Sequence, residues 1–253
     1  MKKTKNFLYL FGVFLVVVLL LVIFFYRYTT KELSESYTKS AENQLIYANN
    51  NLAEKSQEVE LLATSVLTDT TVRFFKDKMD GETLDDYEYV QTIKKIRDQI
   101  NQVKYNSIGI EAVHVYWPNE DLVLTTKSKD KVKADPWFKK IKVKGRNWGN
   151  HGNKLYFSSS YPYVDPSDEQ PDFFVIIELK SSYLREIKES SINLHDSHAL
   201  IRLPDGTTLF DSSKVDRKLL EAISLTTKET ELTLNGQKIK VLSRYNENNK
   251  LQP

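Results

Sequence analysis

The chain has no cysteine, and among its 253 residues only 8 are glycine and 7 are proline. Without cysteine there are no disulfides, thiol nucleophiles, cysteine-ligated metals or lipoprotein-type lipid anchor. An exported domain of this composition rests on its core alone, for which 12 Phe, 14 Tyr and 3 Trp supply the material. An excess of one charge is also missing. Lys and Arg number 36 against 34 Asp and Glu, a net charge of +2, so the whole-chain balance carries no nucleic-acid signature.

Catalytic fingerprints are absent as well. No GxSxG, phosphate loop or dinucleotide motif occurs. His195-Asp196-Ser197-His198 has neither the HExxH spacing nor a third ligand, which argues against zinc. Asp165, Asp168, Glu169 and Asp172 lack the spacing and glycine of a calcium hand and read as an acidic loop. The expectation is no metal, no cofactor and no enzyme within this chain.

One long hydrophobic run is present, Phe7 to Tyr26, FLYLFGVFLVVVLLLVIFFY. As a helix, twenty uncharged residues cover about 30 Å, the hydrocarbon thickness of a bilayer. The run exceeds a secretory h-region, no small-x-small cleavage pattern follows it, and it ends in an aromatic and basic border, FFYRY. It reads as an uncleaved transmembrane anchor. Lys2, Lys3 and Lys5 precede it, whereas Arg27 and Lys31 beyond it are offset by Glu32 and Glu35. This asymmetry places residues 1–6 in the cytoplasm and everything after about residue 28 outside the cell membrane.

From Thr30 to about Lys76 there is no glycine or proline, and Leu33, Tyr37, Ala41, Leu45, Ala48, Leu52, Val59, Leu62 and Val66 recur at helical steps. This predicts a long stalk helix continuous with the anchor, either a passive spacer or a dimerising signal helix. Asp80-Gly81 breaks it. Thr83 then caps a second helix with Tyr87, Val90, Ile93, Ile96, Ile100 and Val103 on its apolar face, completing a segment over 29–107.

Thereafter the period changes to two. Residues 111–117 and 122–126 read as paired strands around a Pro118–Asp121 turn, 155–163 and 173–179 as further strands, and 180–189 as a helix. A short helix is expected over 136–141, with Asp135 as N-cap and Pro136 at its first position. A smaller unit follows over 191–253, with hairpins at Pro204-Asp205-Gly206 and Asn235-Gly236 and a helix over 217–224. Two hairpins and a helix usually need more strands to close a core, so this unit reads as incomplete.

The fold class expected is α+β, with an anchor, a stalk and two PAS-like antiparallel units. The layout resembles the double Cache sensor module, in particular the extracytoplasmic half of YesM-like sensor histidine kinases. The likeness is carried by the stalk with Ser40-Ala41-Glu42-Asn43-Gln44-Leu45, its DTTVRFF end, Asp135-Pro136-Trp137-Phe138, Tyr161-Pro162-Tyr163, the strand-to-helix run 173–184 and the PDGT hairpin. It implies a homodimer joined through the stalk and a small-molecule ligand on the membrane-distal unit, residues 108–190. It also implies a cytoplasmic kinase, beyond these residues, acting on a cognate response regulator. Amino-acid-binding Cache modules often carry Tyr and Arg ahead of a Trp-Tyr pair. Here those positions hold Asp130 and Asp135, and Phe138 replaces the Tyr, which argues against that specificity.

Aromatic walls with a few placed charges make a small-molecule pocket. On that ground Tyr116, Trp137, Arg146, Trp148, Tyr161, Tyr163 and Asp165 are the ligand-binding candidates; each aromatic among them can equally be core. Lysines crowd residues 127–146, a stretch that attracts anions or is simply a solvated loop. Two other outputs fit the same sequence. One is an AraC-like membrane-bound transcription regulator; the other is a single-span surface protein that binds wall polymer or a partner.

Overall fold

The computed structural model describes residues 2–75, 86–128, 132–133, 136–141, 145–151, 154–162, 171–183, 185–186, 200–202, 208–211, 229–234 and 237–242. Helix α1, Lys2–Leu67, runs 66 residues without interruption, a rod of about 100 Å. Its apolar segment from Phe7 to Tyr26 is exposed all round and is long and apolar enough to cross a membrane. Past the segment the helix changes character. Val59, Ala63 and Val66 are fully buried, one stripe of the helix packed on a sheet.

The stalk ends earlier than its period predicts. Asp69 stands in extended backbone, and its carboxylate accepts from the amides of Thr71 and Val72 at 2.8 and 3.1 Å, capping a separate turn, α2, Thr70–Arg73. An acidic N-cap ends one helix and starts another with no glycine or proline needed. The restart turns Val72 and Phe75 into the core and leaves Phe74 exposed. The break at Asp80-Gly81 and the Thr83 cap lie outside the described residues.

Helix α3, Asp86–Asn106, buries Ile93, Ile96, Ile100 and Val103 as its pattern predicts. Tyr87 and Val90 are exposed instead, because Tyr89 is the side chain that turns inward, stacking on Phe75 with centroids 5.8 Å apart.

The sheet has six antiparallel strands in the order β3-β2-β1-β6-β5-β4. They are β1 Ile110–Trp117, β2 Leu122–Thr125, β3 Val132–Lys133, β4 Arg146–His151, β5 Lys154–Tyr161 and β6 Phe173–Leu179. The β1–β2 turn closes at Asp121, whose φ of 49° is a left-handed conformation that aspartate tolerates. Strand β4 is absent from the sequence reading, since Asn147, Gly149 and Asn150 have little strand preference. It exists because β5 pairs with it along its whole length, from Arg146↔Ser159 to His151↔Lys154. Gly149 permits this: a Cβ there would collide with the Tyr156 ring lying across the strand.

Alternation along the strands divides the core. Val113, Val115, Trp117, Leu124, Phe157, Phe173, Val175 and Ile177 face α1 and α3 in one large cluster. Tyr116, Val123, Phe174 and Ile176 face the other way, under Phe138 and Ile141. The expected helix over 136–141 is a single 3-10 turn, Phe138–Lys140, with no side-chain cap; Asp135 lies outside the described residues. Of the helix expected over 180–189, the described residues show one turn, in which the Glu186 amide donates to the Ser182 carbonyl at 2.8 Å, and residues 184 and 187–189 lie outside them.

The second region contains two hairpins, β7 Leu200–Arg202 with β8 Thr208–Asp211 and β9 Glu229–Leu234 with β10 Gln237–Leu242, at the two predicted turns. They form two separate two-stranded sheets among the described residues, and the helix expected over 217–224 lies outside them. The fold is α+β, with a long apolar N-terminal helix and an antiparallel sheet.

Candidate functional site

The sheet face turned away from α1 holds the chemistry. Strand parity puts Ala112, His114 and Tyr116 of β1 on this face, with Phe174, Ile176 and Glu178 of β6 beside them. Tyr156 and Ser158 of β5 continue the row. The register shifts between Ile110 and Ala112, and the extra residue is Glu111. Its carboxylate meets Lys154 Nζ at 2.6 Å.

Glu178 is the centre of an ionic cluster at one end of this face. Its side chain is 7% exposed. It bonds His114 Nε2 at 2.9 Å and Lys127 Nζ at 2.5 Å, and Lys154 Nζ stands 3.5 Å away. Burial pushes the Glu178 carboxyl up, but the hydrogen bonds from His114 and Lys127 outweigh it and hold the group at about 2. A buried carboxylate with this many donors remains an anion. His114 is 3% exposed, and burial pushes its proton affinity down against the pull of Glu178.

Aromatic rings close over the cluster. Trp137 meets His114 edge-on with centroids 6.1 Å apart, and Phe138 does so at 5.2 Å. On its other side Trp137 stacks on His151 at 5.0 Å and leans on Tyr156 at 5.7 Å. Tyr116 lies between Phe138 and Phe174. The result is a buried charge and a neutral imidazole beneath a cap of rings.

The seven candidates from sequence divide between the two faces. Tyr116 and Trp137 stand together on the capped face. Arg146, Trp148 and Tyr161 are on β4 and β5 but point to the helices. Arg146 reaches Glu60 of α1 at 3.8 Å. Trp148 packs on Phe157 at 5.1 Å. Tyr161 stacks on Phe173, and its hydroxyl accepts from Arg73, whose guanidinium also lies 4.5 Å above the ring. Arg146 and Tyr161 tie the sheet to α1 and α2, and Trp148 packs into the large cluster between them. Tyr163 and Asp165 lie outside the described residues.

Sequence reasoning passed over His114, Glu178, Lys154 and Glu111, and took Lys127 only as the first of a lysine-rich stretch, whereas it is paired with Glu178. The signal was there in FFVIIEL: one charge inside an otherwise apolar buried strand demands partners, and EAVHVYW supplies one on the matching face. Among the described residues no group of three or more His, Cys, Asp or Glu side chains is arranged to hold a metal ion.

No protein-family model matches the chain, and no curated protein matches it. Among solved structures, the chain is similar to the crystallised sensory domain of the Campylobacter jejuni chemoreceptor Tlp3 (CcmL) with isoleucine bound. The likeness covers 80% of this chain and 86% of that one, at 11% identity and a TM-score of 0.46.

Proposed function

We propose that this chain is the membrane-anchored sensor region of a receptor, displaying a small-solute-binding unit (residues 108–190) and a membrane-proximal unit (191–253) outside the cell. One observation carries the reading. A single helix holds the apolar segment at one end and, at the other, packs Val59, Ala63 and Val66 on the back of a sheet. The front of that sheet bears the aromatic cap and the ionic cluster. A solute that prefers one arrangement of the capped face shifts the balance between two states of the assembly, and α1 is the covalent route to the bilayer.

The output that fits the resemblance is a two-component histidine kinase of the YesM-like kind. Phosphotransfer would then belong to a domain outside residues 1–253, with a response regulator as its partner. Within this reading the present residues bind and transmit and perform no catalytic step. Two copies associate along α1, where Leu33, Tyr37 and Tyr47 are exposed.

The test is a solute screen on the full chain in lipid nanodiscs, read by thermal shift. A stabilising solute is expected whose effect is lost in Trp137→Ala while the fold is retained. A response that survives Trp137→Ala moves binding off the capped face. The cysteine-free chain permits single-cysteine labelling for the rest. Ser36→Cys should react with an impermeant maleimide in intact cells, and Leu33→Cys and Tyr37→Cys should cross-link between copies. An unreactive Ser36→Cys reverses the topology, and uniformly absent cross-links remove the dimer.

A further inference from the structure

His114 carries a feature that ligand binding does not use. Glu178 is an ionised acceptor, so the 2.9 Å contact requires a proton on His114 Nε2. The other nitrogen, Nδ1, is then a bare lone pair. It is fully buried and has no hydrogen-bond partner among the described residues. Directly over the ring lie Trp137 and Phe138, which offer π faces and edges but no strong acceptor.

The neutral ring tolerates this position, since an unused lone pair costs little beside an unused charged donor. A second proton changes the account. It can only go to Nδ1, where it makes a buried N–H with no acceptor among the described residues. Glu178 already takes the Nε2 proton, and it is shared with Lys127 and Lys154. The N–H can reach water only if the rings above it move.

We propose that His114 is an acid-sensitive latch beneath the Trp137–Phe138 cap, closed while the imidazole is neutral and released when Nδ1 takes up a proton. The charged groups around it act in both directions. Glu178 of β6 draws the second proton in, while Lys127 beyond β2 and Lys154 of β5 oppose it, and Glu111 of β1 tempers the two lysines. Tyr156 lies behind Trp137 and stays neutral across the acid range, burial pushing its hydroxyl up. His151 of β4, exposed and stacked on the far side of Trp137, is the one other histidine against the cap among the described residues. Desolvation places release on the acid side of an ordinary histidine. The latch stands apart from the sensor reading and holds or fails without it.

The test is amide hydrogen exchange on the full chain in nanodiscs at pH 7.5, 6.5, 5.5 and 4.5 (conditions spanning roughly the histidine range), corrected for the chemical pH dependence of exchange. Residues 136–141 are expected to lose protection on acidification while β1 and β6 keep theirs. His114→Gln should abolish that loss, and His151→Gln should leave it in place. Lys127→Met, which removes an opposing charge, should move release to higher pH, a shift that a merely structural role would not produce. Retained protection of 136–141 at the lowest pH in the wild type overturns the latch. So does release that persists in His114→Gln, or an unshifted midpoint in Lys127→Met. Should His114→Gln lose protection in β1 and β6 at neutral pH, the Lys127→Met shift decides alone.

Discussion

On the helix side of the sheet, Val113, Val115, Phe157 and Ile177 meet almost only carbon. On the other side, one strand position away, His114 and Glu178 meet two ammonium groups and two aromatic rings. Both faces are buried, but by different physics. The first is held by apolar area and close packing, in which no group titrates. The second is held by charges that must stay paired, and its polar groups would be costly if separated. A protein needs the first face to exist, whereas only the second can register a change in what surrounds it.

Substitutions sharpen this contrast, and the largest effect belongs to the apolar side. Phe157→Ala should cost about 3–5 kcal/mol in denaturant unfolding, with no change in pH dependence. A smaller loss would mean that α1 collapses onto the gap.

On the capped side, Glu178→Gln should cost about 1–3 kcal/mol at neutral pH by weakening the bonds to His114 and Lys127. Its signature is the pH profile. The Glu178 carboxyl is depressed in the folded state, so its contribution is present above the ordinary value of 4.5 and is lost as pH falls towards about 2. His114 is depressed too, so the unfolded chain takes up its proton first, and stability declines below the ordinary value of 6.5. Both slopes have the same sign. Wild-type unfolding free energy should therefore fall on acidification in two stages, and Glu178→Gln should erase the lower one.

Trp137→Ala should cost about 2 kcal/mol, less than a core tryptophan because the side chain is only partly buried. A much larger loss would make the cap part of the framework. Asp69→Ala, on the boundary between stalk and turn, should cost about 1 kcal/mol and fray α2 in hydrogen exchange. The exposed Lys139–Asp121 pair, at 3.0 Å, should be nearly silent, with Lys139→Ala below about 0.5 kcal/mol.

How much of this was legible in the chain follows the same division. The run Phe173 to Leu179 announces a buried strand, and the apolar steps from Ile93 to Val103 announce a helix, because one local pattern decides each. Strand β4 was not legible, since its residues are strand-like only when β5 is beside them. Trp148 and Tyr161 show why the site was harder to read than the fold. Sequence gives their chemistry, but the face they occupy depends on register, and one residue of shift exchanges core for pocket. His114 and Glu178, 64 positions apart, become a pair only once β1 and β6 are neighbours.

Helix α1 contains no proline and only one glycine, Gly12, near its beginning. It therefore has no soft joint between the sheet and Val13. A displacement at Val59 meets no kink along the way, and what gentle curvature does not absorb arrives at the far end as torsion or piston travel of the shaft. In a receptor of the kind proposed, gain would then be set less by the helix than by the compliance of its mounting. That makes the clamps at Arg73–Tyr161 and Glu60–Arg146 the gearing of the device.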